Sequence, residues 1–161
     1  MNKALFLDRD GVINHDPGDY TFSLEEFIIL PTVLDAFKLA QDKGYKIIII
    51  TNQGGIAKGL YKEEEVHKMH DYLKKECAKV GVTITDIFFS PYHSELSNSL
   101  SRKPGSLMME RAIHRHHIDV SSSIMIGDRD RDIECAAAVG VKGIKIPTNA
   151  ALLDYIRTLE G

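Results

Sequence analysis

The sequence predicts an α/β fold in which a doubly wound parallel sheet is covered by helices on both faces. Five short apolar runs without polar alternation recur along the 161 residues, which is typical of strands buried on both faces. Amphipathic segments separate these runs, and strands that alternate with helices indicate parallel strands joined by right-handed crossovers. The length is close to the roughly 150 residues of one domain, so we expect residues 1–161 to form a single domain.

The apolar runs and helical patterns define the predicted elements. The predicted strands are residues 4–7, 46–50, 86–89, 123–126 and 143–146. Pro31 suits a first helical turn, and the helix that follows it is expected to end at Gly44. A longer helix over 62–80 has apolar residues along one face. Further helices are predicted over 104–117, 130–139 and 149–159.

Composition and charge exclude several classes of protein. Hydrophobic residues make up 43% of the chain, enough for one core, and a net charge of -3 without a basic stripe predicts no nucleic-acid partner. No signal peptide is visible and no apolar run approaches the roughly 20 residues of a membrane span, so we expect a cytoplasmic protein without membrane contact. Cys77 and Cys135 lie far apart and are expected to be reduced.

Polar side chains follow four of the five predicted strands. Ligands of parallel sheets bind at the carboxyl ends of the strands, where these residues are expected to meet. The first strand is followed by an acidic pair, the second by a hydroxyl and two amides, the third by a long loop ending in two cations, and the fourth by three acids. They are Asp8 and Asp10, then Thr51, Asn52 and Gln53, then Arg102 and Lys103, and finally Asp128, Asp130 and Asp132.

Each group alone has an ordinary structural interpretation as a solvated loop, a turn or a helix terminus. Together they favour a functional site, because carboxylates that converge at one edge destabilise the protein unless a cation is present. Mg²⁺ takes oxygen ligands and usually keeps water and substrate phosphate in its coordination shell. One carboxylate could attack phosphorus, and a second, two residues on, could act as general acid and base. Lys103 and Thr51 would stabilise the transferring phosphoryl group.

Four motifs carry a family resemblance. DRDGV after the first strand, TNQ after the second, RKP before a helix and GDRDRD after the fourth together resemble the haloacid dehalogenase (HAD) phosphatase superfamily over nearly the whole chain. The resemblance implies a Rossmann-like sheet of the HAD type without a large cap domain. It also implies an aspartyl-phosphate intermediate, with Asp8 as nucleophile, Asp10 as general acid and base, and Thr51 and Lys103 as the phosphoryl-stabilising pair.

The resemblance also implies the metal and substrate contacts. Mg²⁺ would be held by Asp8, the backbone carbonyl of Asp10, Asp128 and the carbonyl of Arg129, with Asp132 further out. Within the superfamily, DRDGVIN, TNQGGIAKG and RKP most resemble the heptose bisphosphate 7-phosphatases. A small phosphorylated sugar is then the expected substrate, in the synthesis of bacterial surface-glycan precursors such as those of lipopolysaccharide. Its implied contacts are Asp16, Asp19, Tyr20, Asn52, Gln53, Gly54 and Arg102.

Two alternative functions fit the same motifs, and the sequence departs from the family pattern at one place. Histidinol-phosphate phosphatases share the DRDG, TNQ and RKP elements, and a phospho-accepting receiver module also combines an acid cluster, a Thr and a Lys with Mg²⁺. Many members of both phosphatase families hold the loop before RKP with zinc, but the ligand positions here are Ser90, Tyr92, Ser99 and Ser101. Hydroxyls are poor zinc ligands, so we predict no zinc. We also expect a monomer or weak oligomer.

Overall fold

Five parallel strands form one sheet in the computed structural model, which describes residues 1–161. The strands are β1 (Lys3–Leu7), β2 (Tyr45–Asn52), β3 (Ile84–Ser90), β4 (Ile124–Gly127) and β5 (Lys142–Lys145). Their spatial order is β3-β2-β1-β4-β5, and every neighbouring pair is parallel. This confirms the predicted doubly wound sheet. The order matches the first five strands of the Rossmann order 3-2-1-4-5-6 and differs from the flavodoxin-like 2-1-3-4-5 order of receiver modules, which counts against the receiver alternative.

Five helices connect and cover the strands. They are α1 (Val33–Asp42), α2 (Glu63–Lys79), α3 (Leu107–His116), α4 (Asp130–Ala138) and α5 (Leu152–Ile156). Two 3₁₀ turns, Leu24–Glu26 and Val120–Ser122, precede α1 and β4. A membrane-spanning helix needs greater length and apolarity than any of these helices has.

The core has two layers because alternate strand residues point to opposite faces of the sheet. Leu5 and Leu7 pack in a cluster with apolar residues of α1, α2 and α5, whereas Phe6 packs in a second cluster with residues of α3 and α4. Cys77 lies in the first cluster and Cys135 in the second, and both are free, buried thiols. The sheet therefore separates the two cysteines.

The last predicted helix is shorter than expected, for a reason that concerns the site. The pattern predicts a helix from residue 149, but α5 begins at Leu152. Asn149 has a left-handed backbone with φ of +62°, and its N–H donates to the Gly11 carbonyl at 2.7 Å. Both ends of its side-chain amide bond the backbone of Asp16, at 2.8 and 3.0 Å. Asn149 therefore fastens the loop after β1 instead of continuing a helix.

The strand order places β1 between β2 and β4, so the segments that follow these three strands meet. Gly11, in the turn after β1, has φ of +83°, and a Cβ atom there would lie 2.3 Å from Asp128 Oδ2. A glycine is required at this turn, because any side chain would collide with the carboxylate that follows β4.

Candidate active site

A buried lysine joins two carboxylates at the carboxyl end of β1. Lys103 Nζ lies 2.8 Å from Asp8 Oδ1 and 2.5 Å from Asp132 Oδ1, and it donates to the Ile50 carbonyl at 2.7 Å. All three protons of the ammonium group are therefore used. The structure brings Asp8 and Lys103, which belong to separate motifs, into direct contact.

The charges of this cluster are unbalanced. Burial raises the pKa of the Asp8 carboxyl, and the nearby Asp132 and Asp128 add to the rise while Lys103 opposes it. Burial alone would lower the pKa of Lys103, but Asp8 and Asp132 raise it overall, so the lysine stays charged. Lys103 contacts two of these three buried acids, and the only cation near Asp128 is the half-exposed Arg129 at 3.8 Å, so the acids outnumber the buried cations.

Asp128 supplies an oxygen that has no partner. Its Oδ2 accepts a hydrogen bond from Thr148 Oγ1 at 2.8 Å, but its Oδ1 is buried and makes no hydrogen bond. Leaving such an acceptor unsatisfied costs on the order of 1–3 kcal/mol. One carboxylate oxygen each from Asp8, Asp128 and Asp132 lie within 4.8 Å of one another. The oxygens of Asp8 and Asp128 suit Mg²⁺, which prefers oxygen ligands, whereas Asp132 uses its two oxygens to accept from Lys103 and from the Arg129 N–H.

Asp10 lies beside the cluster and is held by a different cation. Arg9 donates to Asp10 Oδ1 from Nη2 at 2.8 Å and from Nε at 3.2 Å, and the Asn14 amide donates to the same oxygen at 2.9 Å. Gln53 Nε2 donates to Oδ2 at 3.1 Å. Desolvation would raise the pKa of Asp10, but Arg9 and these hydrogen bonds lower it overall. In the absence of substrate Asp10 is therefore a carboxylate.

His70 of α2 supports the fully buried Arg9. Its Nε2 lies 3.3 Å from Arg9 Nη1, and because a guanidinium only donates, the imidazole accepts and is neutral. Burial, followed by the charge of Arg9, lowers the pKa of His70 from 6.5 to about 3. Between these two values the unfolded chain binds more protons than the folded chain, so this residue makes stability fall as the pH decreases.

We expect His70→Gln to remove this acid sensitivity, because a glutamine oxygen accepts from Arg9 without titrating. From about pH 7.5 to about pH 4.5, the free energy of unfolding of the wild type should fall by about 2–3 kcal/mol relative to that of the variant. Urea unfolding at several pH values measures this difference, in which carboxyl groups common to both proteins cancel. A difference that does not change with pH would contradict a neutral buried His70.

The residues at the end of β2 position Lys103 and Thr51 through hydrogen bonds. Thr51 Oγ1 accepts from Gln53 Nε2 at 3.0 Å, while its own proton has only a 3.4 Å contact with the Asn52 carbonyl, so the hydroxyl can donate elsewhere. Asn52 bonds the backbone of Lys103 twice, through Oδ1 at 2.9 Å and Nδ2 at 3.2 Å. Gln53 also accepts from the Tyr61 hydroxyl at 2.9 Å. These amides hold Lys103 and Thr51 in place.

A cleft of about 190 Å³ opens over this edge of the sheet. The predicted site residues that line it are Asp10, Asp16, Asp19, Tyr20, Asn52, Gly54, Arg102 and Arg129. Gln53 is buried beneath the cleft and does not line it. The lining also includes Tyr61, His93 and Arg131, none of which was a predicted substrate contact. Tyr61 and Arg131 lie outside the four motifs or at their unassigned positions, so no local pattern marked them.

Arg129 is paired within the protein. Its Nη2 lies 3.5 Å from Asp16 Oδ2 and its Nε lies 3.8 Å from Asp128 Oδ2. The side chain therefore links the loop after β1 to the segment after β4. Its guanidinium therefore faces Asp16, which lines the cleft, and Asp128, which does not.

Comparison with known proteins identifies the family. A family model described as HAD-hydrolase-like matches residues 100–157. The D-glycero-alpha-D-manno-heptose-1,7-bisphosphate 7-phosphatase of Burkholderia mallei is 38% identical over 146 residues, which cover 87% of this chain and 77% of that protein. The chain belongs to the heptose bisphosphate 7-phosphatase family of HAD hydrolases. The resemblance seen in the four motifs is thereby confirmed.

Other members of this HAD family resemble the chain in sequence and in structure. The D-glycero-beta-D-manno-heptose-1,7-bisphosphate 7-phosphatase of Haemophilus influenzae is 35% identical over 147 residues, covering 88% of this chain and 79% of that protein. The crystal structure of D,D-heptose 1,7-bisphosphate phosphatase from B. bronchiseptica, complexed with magnesium and phosphate, superposes with a TM-score of 0.86 at 30% identity. That match covers 92% of this chain and 83% of the relative, and it confirms the HAD-like fold.

In this member of the HAD family, hydrogen bonds between serine hydroxyls hold the loop that joins β3 to α3. Ser101 Oγ lies 2.9 Å from Ser90 Oγ and 2.8 Å from Ser99 Oγ. Three of the four positions that correspond to zinc ligands in many family members therefore form a hydrogen-bonded chain. At the fourth, the carbonyl of Tyr92 accepts from Arg102 Nη1 at 3.0 Å, and its side chain is exposed. The serine chain thus connects β3 to the segment that carries Arg102 and Lys103.

We expect the purified protein to contain substoichiometric zinc, because neutral hydroxyls do not replace thiolates as ligands. Elemental analysis of protein prepared without chelator measures the zinc content. Chelator treatment followed by addition of excess Mg²⁺ should restore full activity without zinc. One tightly bound zinc per chain, or activity that returns only with zinc, would contradict this interpretation of the loop.

Proposed function

We propose that this chain is a Mg²⁺-dependent phosphomonoesterase that removes the 7-phosphate of D-glycero-D-manno-heptose 1,7-bisphosphate. The observation that carries the proposal is the contact of Asp8 with Lys103 beside the unpartnered oxygen of Asp128. A carboxylate suited to nucleophilic attack, a cation suited to binding phosphate and a carboxylate oxygen without a hydrogen-bond partner lie together there. The names of the relatives support the substrate, and membership of the HAD superfamily supports the reaction type.

The first chemical step uses Asp8 and Asp10. An Asp8 oxygen attacks phosphorus, so a bond between that oxygen and phosphorus forms while the bond from phosphorus to the sugar oxygen breaks. A proton from Asp10 goes to the leaving sugar oxygen. Asp10 is ionised without substrate, but a phosphate dianion beside it would raise its pKa, because like charges disfavour ionisation. Substrate binding thereby favours protonation of Asp10.

The second step releases phosphate. Asp10, now a carboxylate, takes a proton from water, whose oxygen attacks phosphorus and breaks the bond to Asp8. Lys103 Nζ and the available Thr51 hydroxyl stabilise the negative charge on the phosphoryl oxygens in both steps. Asp8, Asp128 and the carbonyls of Asp10 and Arg129 would hold Mg²⁺, which when bound neutralises charge on the phosphoryl oxygens.

The test is phosphate release from a panel of esters with and without Mg²⁺. The panel contains both anomers of the heptose bisphosphate, the heptose 7-phosphate, histidinol phosphate and p-nitrophenyl phosphate. We expect the highest kcat/KM for one anomer of the bisphosphate and no turnover without a divalent cation. A higher kcat/KM for histidinol phosphate would overturn the substrate assignment, and undiminished turnover after complete removal of divalent cations would overturn the reaction type.

A further inference from the structure

Two arginines that line the cleft have no acidic partner. Among the other cations there, Arg129 faces Asp16 and Asp128, and Lys103 below the cleft contacts Asp8. Arg102 makes one hydrogen bond, to a backbone carbonyl, and neither it nor Arg131 has a carboxylate within 4.0 Å. The charges of Arg102 and Arg131 are therefore not neutralised by the protein.

Arg131 has fewer hydrogen-bond partners than Arg102. It lies in the first turn of α4, is half-buried, and makes no hydrogen bond or ion pair. Its Nε is buried without a partner. A guanidinium nitrogen removed from water without an acceptor is unfavourable, so a ligand that supplies acceptor oxygens would be stabilised there.

The two arginines lie close to each other. Burial, followed by the charge of Arg131, lowers the pKa of Arg102, as expected for adjacent like charges. Both line the cleft above Asp10, and both also line a neighbouring cavity of about 440 Å³ whose other residues are mostly uncharged. They therefore lie where the two spaces adjoin, within reach of a substrate that extends from the cleft into the neighbouring cavity.

We propose that Arg131, together with Arg102, binds the second anionic group of the substrate, and that Arg131 strengthens the preference for doubly over singly phosphorylated sugars. The inference rests on the proposed function, which places the reacting phosphate at Asp8. Guanidinium groups bind phosphate oxygens through paired donors, and two guanidiniums match the charge of a phosphate dianion. Arg102 was already a predicted substrate contact, whereas Arg131 is new to the site.

The test compares the heptose 1,7-bisphosphate with the heptose 7-phosphate, which lacks only the remote phosphate. We expect Arg131→Gln to raise KM for the bisphosphate about 10- to 100-fold while kcat stays nearly constant. Its kcat/KM for the 7-phosphate and for p-nitrophenyl phosphate should change less than about 3-fold. Arg131→Lys, which keeps the charge, should recover part of the loss. The matched control is Arg111→Gln, which replaces an exposed arginine of α3. It should leave kcat and KM unchanged for both substrates.

The outcomes separate this inference from the proposed function. An unchanged KM for the bisphosphate in Arg131→Gln, or an equal loss for both sugars, overturns the role of Arg131 while the phosphatase assignment stands. A wild-type chain that hydrolyses p-nitrophenyl phosphate but not the heptose bisphosphate overturns both. Thermal unfolding of Arg131→Gln should match that of the wild type or exceed it, because the variant removes an unpaired charge.

Discussion

Asp8→Asn is expected to abolish phosphate release, by about 10⁴-fold or more, while the protein remains folded. Asparagine keeps the shape of the side chain and a hydrogen-bond acceptor for Lys103, but its amide does not attack phosphorus. Burial, together with the nearby Asp132 and Asp128, raises the pKa of Asp8 to about 8, so an uncharged asparagine avoids both the desolvation of a carboxylate and its repulsion from these two acids. The variant should therefore unfold at an equal or higher temperature than the wild type without divalent cations.

The matched control is Asp130→Asn in the same GDRDRD segment. Asp130 has an 80% exposed side chain and pairs with Lys145 at 2.9 Å, away from the cluster. Activity and stability should both stay close to wild type, because exposed pairs contribute about 0–1 kcal/mol. Activity within 10-fold of the wild type in Asp8→Asn would contradict covalent catalysis by Asp8, and a lower unfolding temperature would contradict the charge repulsion.

Lys103→Met is expected to abolish activity and to lower the free energy of unfolding by about 3–5 kcal/mol. Methionine has a similar shape, but it donates nothing to Asp8, Asp132 and the Ile50 carbonyl, all of which the lysine bonds. Removing one partner of a buried ion pair leaves an uncompensated charge in the interior. Urea unfolding without divalent cations measures the loss, and far-UV circular dichroism shows whether the variant folds.

Two further variants test that explanation. Lys145→Met removes an exposed lysine and should change the free energy of unfolding by less than about 0.5 kcal/mol. Asp8→Asn combined with Lys103→Met should be more stable than Lys103→Met alone, because one of the stranded carboxylates is gone. Equal stabilities of Lys103→Met and the wild type would show that the lysine is not the counterion of this cluster.

The fold was largely predictable because burial on both faces leaves a simple pattern. The runs around Ile47–Ile50 and Met125–Ile126 are apolar at successive positions, and their short length and high isoleucine content favour strands of a covered parallel sheet over buried helices. The end of the chain was less predictable. Asn149 fits a helical pattern, but its side chain bonds the loop after β1, and that tertiary contact outweighs local helical preference.

The site was predictable to the extent that it follows the strand ends. Asp8, Lys103 and Asp128 were expected to meet because parallel strands end at one edge. Gln53 was expected to touch substrate, whereas its amide is used by Thr51 and Asp10 beneath the cleft, and the sequence does not show which way an amide points. Arg131 could not be distinguished from a solvated arginine, because only the fold reveals that it lacks an acidic partner.

A burst experiment with Asp10→Asn tests the central claim most directly. Without Asp10 the leaving group receives no proton, but p-nitrophenolate leaves without one, so the first step should proceed and the second should stall. We expect one equivalent of p-nitrophenol per chain in Mg²⁺, with the phosphoryl group located on Asp8 by peptide mass spectrometry. Continuous release at the wild-type rate without a burst, or phosphate found on any other residue, would contradict an aspartyl-phosphate at Asp8.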